Sequence, residues 1–455
     1  MTTTRAPLFA LFAAAAFMNA AMATASAVST IVAADRIGPA WGGLPPTAGV
    51  AGTGIGAIVL SRVMSRYGRR AGLLAGYATA LAGAVLAIAA VASPRISLLA
   101  LGMVLLGIGN AGAQLSRYAA ADLYPPDRRG TAIGSLIWAG AIGGVGGPLL
   151  LMPAQHAAAA LGWTPITGPF ALAALATVGA LLSSLAAPRA RHDIATRTAA
   201  SRAPVFRSAS VRSAAATMVT AQVVMVAVMT AAPLSMHEHG HDLAAIGTVL
   251  SAHTLGMFAF APLSGRLVDR IGSRAVMVAG LATLAGSAAF VATSPDGLAL
   301  MVSLFLLGYG WNLSIVGGSG ALASRSTRGA DAGEGARAEG AVDALSWGTS
   351  TLATTASTLM FVHGGYAALA SAAAILTALP LLSLGRQLPG VQRDVPTGAV
   401  AVRPVEASLL ISASVSANPV SDESSAVANT MPSTVPSGEI SGPPELPLRT
   451  MARTE

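Results

Sequence analysis

The chain has 455 residues, 53% hydrophobic and 10% charged, with no cysteine and a formal charge of +8 whose basic side is arginine alone. Mean hydropathy is +0.65, whereas a soluble globular chain is about 25% charged, so an ordinary soluble domain is excluded. So are disulfides, thiolate metal sites and cysteine nucleophiles, and the positive charge reads as arginine retained on one membrane face, with no nucleic-acid partner.

Six apolar runs lie near 7–31, 47–64, 71–92, 97–120, 130–152 and 167–187, and six more near 213–234, 243–262, 275–293, 298–321, 342–361 and 364–384. Most approach the roughly 20 residues that cross a bilayer as helix. The first run is long and lacks a stop before the second, so it reads as a spanning helix and not a cleaved signal. The chain divides into a first bundle at 5–187, a cytoplasmic linker at 188–212, a second bundle at 213–387 and a disordered cytoplasmic tail at 388–455, rich in Ser, Pro, Val and Glu without a sustained period.

In the first run, Met18 and Met22 stand four apart around Asn19, a weaker candidate pair for a metal. Between the second and third runs lies "SRVMSRYGRR" (61–70). Asn110 and Gln114 place uncharged polar groups inside the fourth run, and Arg117 sits near its inner end, expected to snorkel or to pair with Asp122. In the fifth run, Gly134, Gly143, Gly147 and Pro148 mark close helix packing with a kink at proline.

The seventh run places Met225 and Met229 four apart, and the eighth places His253 and Met257 four apart. Residues at that spacing share a helix face, and about 1.5 Å rise per residue puts Met225 and His253 at similar depth. Thioether and imidazole suit Cu(I), while methionine is also ordinary apolar filler. Between these runs, "HEHGHD" holds His237, His239 and His241. They read either as a metal-recruiting cluster on one side of an extended segment or as a hydrated turn around Gly240, with Asp242 capping the eighth helix. The stretch "RSTRGADAGEGARAEG" (325–340) reads as a flexible loop, and Asp35 and Asp343 lie near membrane ends.

Arginine bias orients the chain. With a cytoplasmic N-terminus, the inner loops hold Arg66, Arg69 and Arg70, then Arg128 and Arg129, the linker arginines, Arg270 and Arg274, and Arg325, Arg328 and Arg337; only Arg36 and Arg95 lie outside. Both termini are then cytoplasmic in a bacterial inner (plasma) membrane.

The segment "GRLVDRIGSR" resembles the loop signature of the major facilitator superfamily at Gly265, Asp269, Arg270, Gly272 and Arg274. The first half carries a related copy in which Arg66, Gly68, Arg69 and Arg70 remain, while Ser61 and Ser65 replace the glycine and the aspartate. The resemblance implies an all-α membrane protein of the major facilitator fold, with twelve transmembrane helices in two pseudosymmetric six-helix bundles. Its signature residues would form a conformational gate, with Asp269 capping a neighbouring helix end or pairing with arginine. The glycine–proline pattern of the fifth run is similar to that of the antiporter branch, although Leu151 and Met152 replace its following glycines and the branch's arginine in the fourth helix is absent. The MxxxM and HxxxM pairs resemble the copper-importing branch, where Met225, Met229, His253 and Met257 would line an intramembrane copper path.

These readings predict a secondary transporter with no cofactor and no enzymatic activity, functional as a monomer in the lipid bilayer, carrying a small solute or metal ion. Copper uptake leads. Proton-coupled efflux of a drug-like organic compound is the alternative, and a membrane sensor or scaffold is a third reading. ATP-driven transport is excluded for this chain because a phosphate-binding loop needs a lysine and there is none.

Overall fold

The computed structural model describes residues 5–38, 41–93, 95–187, 205–240, 243–293, 297–325 and 332–385, all within one compact unit, Met1–Gly390. The first set of apolar runs forms α1 (Arg5–Ile37), α2 (Leu44–Tyr67), α3 (Arg69–Val91), α4 (Ile96–Ala121), α5 (Arg129–Leu149), α6 (Leu151–Ala160) and α7 (Thr167–Leu185). The second forms α8 (Ala209–Glu238), α9 (Leu243–Phe258), α10 (Ala261–Ile271), α11 (Ser273–Thr293), α12 (Gly297–Arg325) and α13 (Ala332–Gly385). Helix α8 starts at Ala209, four residues before the expected start of the second bundle; residues 188–204 and the tail lie outside the described residues.

Among the described residues, ten helices are long and apolar enough to cross a membrane. Two further passes escape that criterion for physical reasons. The eighth is divided between α9 and α10, each too short alone, with Pro262 in the first turn of α10 where it forfeits no helical N–H. The eleventh is the N-terminal part of α13, which Gly365 (φ 71°, ψ −179°) separates from the twelfth. Its polarity is local: Ser346, Thr349, Ser350 and Thr354 return their hydroxyls to carbonyls one turn back. Twelve passes result among the described residues, with α6 prolonging the fifth.

Two bundles form, α1–α7 and α8–α13. In the first, α2 and α3 pack on α4, and α1 packs on α5 and α7; in the second, α9 and α11 pack on α12, and α8 packs on α13. The bundles meet where α2 lies on α13 and α5 lies on α10, which are equivalent pairs under the two-fold that relates the halves. The two signature loops are equivalent in conformation as well. Gly68 (φ 89°) turns the chain from α2 into α3, and Gly272 (φ 86°) turns it from α10 into α11, a left-handed region that side chains rarely adopt.

The expected flexible loop at 325–340 is corrected in its second part. From Ala332 the chain is helical, Glu339 is 1% exposed, and a Cβ on Gly340 would stand 2.2 Å from Ser61 Cβ. One of the charges that argued for a loop, Glu339, is neutralised by Arg69 across the bundle interface, and the glycine permits α2 to approach.

Candidate functional site

Five helices bring a polar and aromatic set together near mid-depth. Trp311 donates its Nε1–H to Gln222 Oε1 at 2.8 Å, and Phe258 stands edge-on to the indole with centroids 6.0 Å apart. From the first bundle come Asn19 of α1 and Gly140 of α5. A Cβ on Gly140 would lie 3.4 Å from Phe258 and 4.0 Å from Asn19 Nδ2, so this glycine joins the two halves of the set. Asn19, Gln222 and Trp311 each lie near the middle of a long helix, and Phe258 lies at the break between α9 and α10. Asn19, Phe258 and Trp311 are partly exposed despite this central position. Among the described residues no Asp, Glu or Arg hydrogen-bonds or pairs with these side chains.

The remaining polar groups inside the runs hold helices together. Asn312 is fully buried and donates to Met257 O at 2.6 Å, and Asn110 reaches Thr53 Oγ1 at 3.4 Å. Gly308 and Gly256 let α9 and α12 touch backbone to backbone: a Cβ on either would fall within 2.4 Å of a carbonyl oxygen of the other helix.

The predicted metal ligands are placed as follows. His253 is 4% exposed, and its Nδ1 lies 2.8 Å from Leu304 O on α12. Because a carbonyl only accepts, Nδ1 carries the proton and Nε2 is the unprotonated nitrogen of the neutral ring. Met257 lies against Gly308, Met229 packs on the apolar cluster of the second bundle, and Met225 is buried. Met18 is fully buried in the first bundle's core, and the methyl of Met22 lies at Gly49. No group of three His, Asp or Glu side chains comes together among the described residues. The extended reading of the histidine segment is corrected in part. His237 lies in the last turn of α8, and His239 continues it, with its backbone N–H on Ser235 O. His241 and Asp242 lie outside the described residues.

At the arginine-rich end the bundles are joined by charged and capping contacts. Asp269 accepts hydrogen bonds from Gly130 N (2.7 Å), Thr131 N (2.8 Å) and Thr131 Oγ1 (2.6 Å), filling the N-terminal donors of α5. Gly265 and Gly130 meet without side chains: a Cβ on Gly265 would lie 2.2 Å from Gly130 O. Gly134 faces Ala261 O across the same seam, whereas Gly143 and Gly147 face α1 within the first bundle, and Pro148 is exposed near the end of α5. In the first-half copy, Arg69 bridges Asp122, at Nε–Oδ2 3.0 Å, and both oxygens of Glu339. Arg66 and Arg270 are exposed, and Arg70 and Arg274 are half-buried.

Arg117 and Asp343 are corrected together. Arg117 is 5% exposed and neither snorkels nor pairs with Asp122. Its Nη2 donates to Asp343 Oδ1 at 2.6 Å, its Nε to Ser319 Oγ at 2.8 Å and its Nη1 to Gln114 O at 2.7 Å. The same guanidinium stands 4.6 Å from the centroid of the Tyr118 ring. Asp343, at 2% exposed, is a buried carboxylate on the interface and not a membrane-end charge. Its partner is 226 residues away, so no local pattern announced it. One signal was available: Glu339 and Asp343 stand one turn apart at the start of an otherwise uncharged run, and buried charges require partners.

The model of the Major Facilitator Superfamily matches residues 8–244 and 213–421. The MFS-type transporter YdeG of Bacillus subtilis is 33% identical over 354 residues, covering 74% of this chain and 81% of that protein. The riboflavin transporter RfnT of Brucella anthropi is 29% identical over 311 residues, covering 66% and 74%. The fold is shared with the human organic anion transporter MFSD10 (TM-score 0.70, 15% identity, 84% of this chain and all of that one). It is shared likewise with the E. coli fucose:proton symporter FucP (TM-score 0.62, 14% identity, 84% and 98%).

Proposed function

The chain belongs to the major facilitator superfamily and is a multi-pass secondary active transporter, not an enzyme; on that premise we propose that its cargo is a small, uncharged, planar organic solute, carried by alternating access. The observation that carries this reading is the mid-depth set: an indole fixed by Gln222, a phenyl ring edge-on to it and a carboxamide from the opposite bundle, with no carboxylate or guanidinium beside them. Such a lining offers an aromatic face for stacking and amide edges for orientation. The similarity to a protein named as a riboflavin transporter supports a heteroaromatic cargo. The arginine-rich end is placed in the cytoplasm of a bacterial inner membrane, the protein acts as a monomer, and the conformer described is closed at that end.

Copper uptake is the second reading, and one observation favours it. The Nδ1–H of His253 on Leu304 O leaves Nε2 as the coordinating nitrogen, the arrangement that metal-bound imidazoles use. Burial of His253 against α12 and packing of Met229 in an apolar cluster weigh against an accessible path through these residues.

Proteoliposomes containing the full chain test both. Labelled riboflavin accumulates through the parent protein, L-fucose does not, and Trp311→Ala lowers apparent riboflavin affinity about tenfold or more, the scale of one lost ring-stacking contact of about 1–3 kcal/mol. Copper accumulation abolished by Met225→Leu and by His253→Ala, with riboflavin excluded, would replace this reading with the second.

A further inference from the structure

The mid-depth set holds two carboxamides, one from each bundle, and a neighbour fixes which way each is turned. The Ala15 carbonyl can only accept a hydrogen bond, so the atom 2.8 Å from it is Asn19 Nδ2 and not Oδ1. The Trp311 indole can only donate, so the atom 2.8 Å from it is Gln222 Oε1 and not Nε2. Flipping either amide would set donor against donor or acceptor against acceptor. The ends left over are therefore of opposite kind: Asn19 Oδ1 offers lone pairs from α1, and Gln222 Nε2 offers N–H from α8. Among the described residues neither atom has a hydrogen-bond partner. Asn110 and Asn312 also donate within the passes, but their remaining oxygens are enclosed. Asn19 Oδ1 and Gln222 Nε2 are not enclosed in this way. Gly140, bare of a side chain, lies between Asn19 and Phe258, and Phe258 stands against Trp311, so the two open ends share one aromatic-walled space.

We propose that this set recognises a cyclic lactam or imide edge: Asn19 Oδ1 accepts the ring N–H of the solute, and Gln222 Nε2 donates to its C=O. The proposal rests on the reading of the cargo as a small, uncharged, planar organic solute. It narrows that class to rings that carry N–H and C=O together. A flat solute with acceptors alone, such as a quinone, turns its lone pairs on those of Asn19. An aromatic amine with donors alone turns its N–H on that of Gln222. Each mismatch leaves a desolvated polar group without a partner, which discriminates more sharply than a lost apolar contact. Trp311 then has two tasks, since its ring face stacks and its N–H holds Gln222 in the donating orientation. The two amides belong to different bundles, so a bound edge is held by both halves at once.

The probe pair is riboflavin and riboflavin methylated on its imide nitrogen, which lacks that N–H but keeps both flanking carbonyls and the ring system. Half-saturating concentrations for uptake are compared for the full chain in proteoliposomes. In the parent, methylation is expected to raise this concentration about tenfold or more, the scale of one hydrogen bond lost with its acceptor left unpaired. Asn19→Leu keeps the bulk and removes the acceptor, so riboflavin weakens and the methyl penalty is expected to fall below about threefold. Gln222→Met keeps the length and removes the donor; it is expected to weaken riboflavin about tenfold while the full methyl penalty remains. A methyl penalty undiminished in Asn19→Leu marks a steric clash and overturns the proposal, as does its loss in Gln222→Met. Should Asn19→Leu fail to yield monodisperse protein, an undiminished penalty in Asn19→Ala overturns it instead. A parent that takes up both compounds alike overturns the proposal and leaves the planar-solute reading standing. A parent that takes up neither removes that reading, and the proposal with it.

Discussion

Removing the Asp269 carboxylate tests whether capping contacts hold the arginine-rich end closed. In Asp269→Ala, Gly130 N, Thr131 N and Thr131 Oγ1 lose an ionised acceptor at 2.6–2.8 Å, together with its favourable position at the positive end of α5. Opening rehydrates both sides, so each bond is taken at a low value of about 1 kcal/mol. The closed conformer then weakens by about 3 kcal/mol, roughly a hundredfold in the closed-to-open ratio. The chain has no cysteine, so distances between spin labels at Tyr67→Cys and Ile271→Cys, on the exposed ends of α2 and α10, read this ratio directly. Asp127, 72% exposed with only a 3.8 Å contact to Arg128, is the control, and Asp127→Ala should leave the ratio unchanged. A change smaller than about threefold in well-folded Asp269→Ala would refute the assignment of closure to this cap.

Gly143→Ala should lower thermal stability by about 1–3 kcal/mol because its Cβ would lie 2.2 Å from Ala16 O; Gly144→Ala, with nothing within 4 Å, should be neutral in the same melt. Arg36 donates to the Ala90, Val91 and Ser93 carbonyls at the end of α3. Arg36→Ala should therefore speed amide hydrogen exchange in the last turn of α3 at least about tenfold, while exchange at mid-helix stays unchanged. Deleting residues 388–455 should leave solute transport within about twofold of the parent, since the passes lie upstream; a well-expressed but inactive truncation would contradict the assignment of no transport role to this tail.

Hydropathy made the passes legible because each needs a continuous apolar run of known length, and even the break between the last two was marked by the gap before residue 364. The seam was half legible. "GRLVDRIGSR" pointed to Asp269 at a helix end, but its first-half counterpart has Ser65 where that carboxylate would be, and the structure joins Arg69 to Glu339 instead. That exchange of a cap for an ion pair links residues 270 apart, a relation that no periodicity records. The methionine and histidine spacing was legible as a shared helix face, but spacing does not reveal which neighbour that face meets; for His253 the neighbour is α12. The mid-depth set was the least visible, because Phe258 and Trp311 look like ordinary apolar residues until the break after α9 and the Gln222 contact place them together.

Where α5 meets α10, Gly130 and Gly265 bring two bare backbones into contact. Neither glycine contributes a side chain to this seam, and only Val268 and the Asp269 carboxylate of α10 press on Gly130, so few rotamers need be released when it separates. Resistance to separation there comes chiefly from the ionic and capping bonds around it. Substitutions with even one methyl group at either glycine would act as a wedge and alter the resting position, whereas changes to the surrounding charges would alter how long each position lasts.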